Sequence, residues 1–153
     1  MKTVKEQQAL DELADMLVRL NRAGIQLAQS LKKCKLIGIK ENYSDEELEV
    51  FDAFTSRFAR VSDILTQKVF RLIDTLEYED SKTFIDVINK AEGRGIISST
   101  RTFKEIRELR NEIAHEYALR DYPTLAGEVI RFSPELLSSI DKTIAYCKTF
   151  ETR

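Results

Sequence analysis

The chain has 153 residues, which fits one domain at roughly 150 residues per domain. Hydrophobic residues make up 42% and charged residues 33%, a balance that can bury a core and excludes a disordered chain. With 24 basic and 26 acidic groups the formal charge is −2, which excludes a polycation that coats nucleic acid in bulk but leaves room for a local basic patch.

Breakers are scarce, with 5 Gly and 2 Pro, and no strand-like alternation or internal repeat is visible, so long helices are expected. The single His and two widely separated Cys, Cys34 and Cys147, cannot furnish a Cys/His metal site or a disulfide framework. No metal or cofactor is expected. The N-terminal MKTVKEQQALDELADML has no unbroken apolar core and is not read as a signal peptide. No apolar run approaches the ~20 residues that span a bilayer. These features predict a cytoplasmic protein without a membrane partner.

The first helix is predicted from about Lys5 to Cys34, where Leu10, Leu13, Leu17, Leu20, Gly24, Leu27 and Leu31 recur at three- and four-residue steps. Leu36 to Tyr43 reads as a connection. Ser44-Asp45-Glu46-Glu47 has the form of a capping box and opens a second long helix to about Tyr78, with an apolar stripe from Leu48 to Leu76. The acidic cluster at its start suits a helix N-terminus. Asp80 or Ser81 is expected to cap a short third helix that Gly93 stops. Ser98, Ser99 or Thr102 caps a fourth helix, predicted to reach about Leu119 before Asp121-Tyr122-Pro123 breaks it. A short helix from Thr124 to Phe132 follows. Ser133-Pro134 then reads as the start of a last helix to about Phe150. The sum is an all-α, antiparallel bundle of four to five helices, led by two long ones, over residues 1–153.

The chemistry-bearing stretch is Arg107 to Tyr117. Wound as a helix, it turns Ile106, Leu109, Ile113 and Tyr117 to the core and puts Lys104, Arg107, Asn111 and His115 on a separate polar stripe. Arg110 falls between the two faces. From Gly93 to Arg110 five basic residues (Arg94, Arg101, Lys104, Arg107, Arg110) meet two acidic ones (Glu105, Glu108), a local charge of +3 beside the only His. Arg can hold two phosphate oxygens and stabilise charge developing in a transition state. His titrates near neutrality and can move a proton to or from a ribose hydroxyl. RNA carries a 2′-hydroxyl that can attack its own phosphate, so cleavage needs no metal when a base and an oxyanion stabiliser are present. The same residues also read as a solvated helix face. Glu112-x-x-His115 has the spacing of a di-iron ligand pair, but that centre needs a second such pair, which one His cannot supply.

Arg110-Asn111-Glu112-Ile113-Ala114-His115-Glu116-Tyr117 resembles the Arg-polar-x-x-x-His-x-Tyr signature of HEPN-domain proteins. The order of long and short helices around it resembles that family across nearly the whole chain. Within the family it is most similar to the HepT-type toxins of HEPN/MNT toxin–antitoxin systems. The resemblance implies a metal-independent endoribonuclease in which Arg110 and His115 carry catalysis, Asn111 supports them and Tyr117 completes the motif. Arg107 and Lys104 would then track the RNA backbone. It further implies a homodimer with two motif helices meeting across a cleft, and a minimal nucleotidyltransferase antitoxin as partner. That partner can attach AMP to the motif Tyr, here Tyr117, and so block RNA by bulk and like charge. Non-toxic HEPN members, which serve as substrate-binding partners of a nucleotidyltransferase, keep a similar stretch. A bundle that only mediates protein interaction is the third class.

Overall fold

The computed structural model of the protein describes residues 2–115 and 122–151, with the backbone alone described at 122 and 123. Among the described residues all regular structure is helical, which bears out the all-α bundle. Helix α1 covers Val4–Ile37. Helix α2 covers Asp45–Asp63, runs into a π-helical segment at Ile64–Val69, and continues as α3 at Phe70–Leu76. Then come α4 (Phe84–Gly93), α5 (Thr100–Ala114), α6 (Tyr122–Cys147) and a 3-10 turn at Lys148–Glu151.

Helix α1 and the α2–α3 rod form an antiparallel hairpin. Arg57 Nη1 donates to Ser30 Oγ at 2.7 Å near the loop end, and Tyr78 Oη donates to Glu6 Oε1 at 2.9 Å at the open end. Helix α6 packs antiparallel along the other flank of α1. A Cβ on Gly24 would come within 2.8 Å of Ile140 Cδ1, so the missing side chain lets α6 sit close. The interface between helices is a continuous apolar core that includes Leu20, Leu27, Phe54, Phe58, Phe70, Phe103, Ile106 and Leu136. Each such side chain taken out of water contributes about 1.5–3 kcal/mol.

Several boundaries differ from the sequence expectation, each for a local reason. The Ser44 capping box is present as predicted, with Ser44 Oγ accepting from the Glu47 N–H and the Glu47 carboxylate accepting from the Ser44 N–H. The third predicted helix (α4) is capped by Thr83 and not by Asp80 or Ser81, because Asp86 at the third helical position closes a second capping box with Thr83. Gly93 is the last residue of α4 and not its stop. The left-handed turn falls at Gly95, φ 77°. Ser99 is the cap of α5, accepting from the Thr102 N–H. Ser133-Pro134 starts no helix. It lies inside α6, where Ser133 is fully buried and its hydroxyl donates back to the Val129 carbonyl at 2.6 Å. The predicted break at Phe132 is therefore absent.

Candidate functional site

Helix α5 ends at Ala114, and the part of the expected helix from 116 to Leu119 lies outside the described residues. His115 is its C-cap, with extended backbone (φ −88°, ψ 103°) and its N–H still bonded to the Asn111 carbonyl at 3.1 Å. His115 thus sits at the C-terminal end of the helix, where the backbone turns out of helical geometry. It is exposed. Tyr117 lies outside the described residues.

Arg110 is held from across the bundle. Its Nε donates to Asp63 Oδ1 at 2.7 Å and its Nη2 to Oδ2 at 2.9 Å, a bidentate fork between α5 and the last residue of α2. The hydrogen bond and charge of Asp63 outweigh the effect of burial and raise the Arg110 pKa. One edge of the guanidinium is spent on Asp63. The Nη1 edge remains for another anion.

The Arg110–Asp63 pair forms a ridge between two hollows. On one side is a groove of about 810 Å³ between α1, α2 and the π segment, closed at one end by Ile113 and Ala114 of α5. On the other is a smaller polar hollow of about 430 Å³ that takes in Arg71, Arg107 and Asn111. Of the two residues expected to track RNA, Lys104 is exposed over a shallow depression beside α4. Arg107 borders that depression and sits over the Phe84 ring, its guanidinium carbon 4.1 Å from the ring centre. The structure therefore brings Arg107, Arg110 and Asn111 around one hollow and leaves Lys104 outside it.

The +3 read along Gly93–Arg110 does not survive as a surface patch. Arg94 is buried against Asp74 and Glu77, and Arg101 lies 3.7 Å from Glu105. The larger cationic surface is on helices that sequence reasoning left unmarked. Arg19 and Arg22 of α1, Arg60 of α2 and Lys68 of the π segment all face the larger groove with Arg110. A helical projection would have paired Arg19 with Arg22, but the register between α1 and α2 is a tertiary fact. Segments of π-helix often occur at functional sites, and here one forms part of the wall beside Arg110.

Neither thiol offers a nucleophile. Burial pushes the Cys34 thiol up to about 11 and the Cys147 thiol up to about 12, so both stay protonated at neutral pH. Among the described residues no group of three or more His, Cys, Asp or Glu is placed to hold a metal ion, and no helix is long and apolar enough to cross a membrane. Compared with family models, with curated proteins and with solved structures, the chain matches none.

Proposed function

We propose that the protein is a metal-independent endoribonuclease of the HepT kind, the toxin of a HEPN/MNT toxin–antitoxin pair, acting as a homodimer. The observation that carries this reading is the position of Arg110. It stands on a ridge between two basic hollows, aimed by Asp63, with one guanidinium edge free and His115 at the end of the same helix.

In the reaction, Arg110 holds the non-bridging oxygens of the scissile phosphate. His115 takes the proton of the 2′-hydroxyl and the 2′ oxygen bonds to phosphorus. The bond to the 5′ oxygen breaks, and that oxygen leaves with a proton from the imidazolium or from water. The products are a 2′,3′-cyclic phosphate and a free 5′-hydroxyl. Asn111, on the polar hollow beside Arg110, supports the phosphate or the imidazole. Tyr117 is the acceptor for AMP from the nucleotidyltransferase partner, which silences the site.

The Asp63 fork also supports a second reading, in which Arg110 is a structural pin and the chain is the non-catalytic, substrate-binding partner of a nucleotidyltransferase. One experiment separates the two. Purified protein is incubated with RNA in the presence of a chelator. Wild type is expected to cut, and Arg110→Ala and His115→Ala to lose at least about a hundredfold in rate, the scale of an oxyanion or proton-transfer group. Incubation with the partner and ATP should abolish cutting and add AMP mass to wild type but not to Tyr117→Phe. RNA left intact by wild type, together with stable co-purification of a nucleotidyltransferase, would replace the first reading with the second.

A further inference from the structure

The strand that reaches Arg110 has to lie on one side of it or the other. We infer that it lies in the groove between α1 and α2, and that Arg19, Arg22, Arg60 and Lys68 form a track for the phosphate backbone of single-stranded nucleic acid. The inference rests on the ribonuclease reading for the strand being RNA, and on the groove alone for its binding.

Three observations carry it. The first is charge segregation. In a chain of net charge −2, the described residues of the groove include five cations against one carboxylate, Asp63, and that carboxylate is already spent on Arg110. Among the described residues Arg19, Arg22, Arg60 and Lys68 are all exposed and none of them makes an ion pair, so their charge is offered outward.

The second is layout. Arg19 and Arg22 stand one turn apart on one wall. Arg60 and Lys68 stand on the other, about 12 Å apart along a helical rise of about 1.5 Å per residue. That is the reach of a short run of backbone phosphates and exceeds a single phosphate group. Ile113 and Ala114, the two residues before His115 in the chain, also line the groove.

The third is what the lining lacks. Among the described residues, those along the groove include Met16, Ala23, Ile64 and Ile113 but no aromatic ring. These described walls offer cations and no stacking platform for bases, so along them recognition falls to the backbone and should be insensitive to sequence.

The test is binding to a strand that cannot be cut. A labelled 2′-O-methylated oligouridine is titrated with the full chain by fluorescence anisotropy at a series of salt concentrations. Wild type is expected to bind with a salt slope set by its phosphate contacts. Arg19→Ala/Arg60→Ala should weaken binding about tenfold or more and lower the slope by about 0.7 for each cation removed. Lys33→Glu, an exposed change on α1 outside the groove, controls for net charge and should leave affinity within about twofold. Helical circular dichroism and thermal unfolding confirm that each variant folds, and Arg22→Gln/Lys68→Gln repeats the test at the other two positions.

Unchanged affinity and slope in both double variants would overturn the proposal. So would an equal loss in Lys33→Glu, or full competition by polyglutamate at matched charge, which would assign the groove to an acidic protein partner. The two readings fail separately. Binding that follows the groove cations without any RNA cleavage leaves the track and removes the ribonuclease. Cleavage that ignores them does the reverse.

Discussion

Asp63 uses both carboxylate oxygens on Arg110, and that sets opposite demands on one residue. It aims the guanidinium, and among the described residues it is also the one acidic side chain in a basic groove. Asp63→Asn should therefore separate binding from turnover. Losing the carboxylate charge should tighten binding of the uncleavable oligouridine. Losing the fork should let Arg110 swing, and misplacement by about an ångström costs up to roughly a hundredfold in rate. Tighter binding with cleavage at least about tenfold slower is the expected pair of results. Parallel changes in both would mean that Asp63 does not position Arg110. The motif residues Arg110, Asn111 and His115 were legible because they lie within one stretch of chain. Asp63 was not, since 47 residues separate it from Arg110 and only the packing of α2 on α5 joins them.

The helix ends are governed by short-range hydrogen bonds, and several of these involve carboxylates. Lys40 and then the Ser44 N–H hold Glu47 below the usual carboxylate range. Hydrogen bonds from Thr83 do the same for Asp86, and those from Thr100 for Glu92. A pKa lowered on folding means that the charged form favours the folded state. The stability these groups contribute is complete above the unfolded values of about 3.9 to 4.3 and is lost as pH falls through the lowered ones. Glu47→Gln should therefore lower Tm at pH 7, and its difference from wild type should vanish by about pH 2 to 3. Ser99→Ala removes a cap that does not titrate. It should cost about 1 kcal/mol, or roughly 2–4 °C in Tm, and its deficit should persist in acid. Differential scanning calorimetry of both variants across pH checks the contrast, and a pH-independent Glu47→Gln deficit would remove the carboxylate from the account. The capping boxes were legible because they need only residues three apart. The end of α5 was not. Ile106, Leu109, Ile113 and Tyr117 keep a helical period, but the chain leaves the helix after Ala114, and periodicity does not register a backbone exit. Pro134 misled in the opposite sense. The buried face of α6, with Val129, Leu136 and Ile140, holds the helix together across a residue that lacks an N–H.

At the scale of the whole molecule the apolar periodicity carried the antiparallel hairpin of α1 and α2, because core residues repeat on one face and need no knowledge of their partners. Charge did not project in the same way. Arg94 counted toward a basic surface in the sequence, yet its side chain is only 9% exposed and Asp74 beside it 4%. Its Nη1 forms an ion pair with Asp74 Oδ1 at 2.7 Å, and its Nε donates to Glu77 Oε1 at 2.7 Å. Burial works against the Arg94 charge, but Asp74 and Glu77 outweigh it and raise its pKa. Tyr146 Oη donates to the same Glu77 oxygen at 2.7 Å. One cluster thus ties the end of α3, the end of α4 and the end of α6. Removing one member strands a buried charge, which costs about 3–5 kcal/mol, whereas replacing a buried pair with apolar side chains is often neutral. Arg94→Met alone should lower Tm on the order of 10 °C. Arg94→Met/Asp74→Leu should recover at least half of that loss, although it carries one more change. Thermal unfolding of wild type, both single variants and the double variant closes the cycle. Simple addition of the two losses would show that Arg94 and Asp74 act separately, and that the ends of α3 and α4 are joined by packing alone.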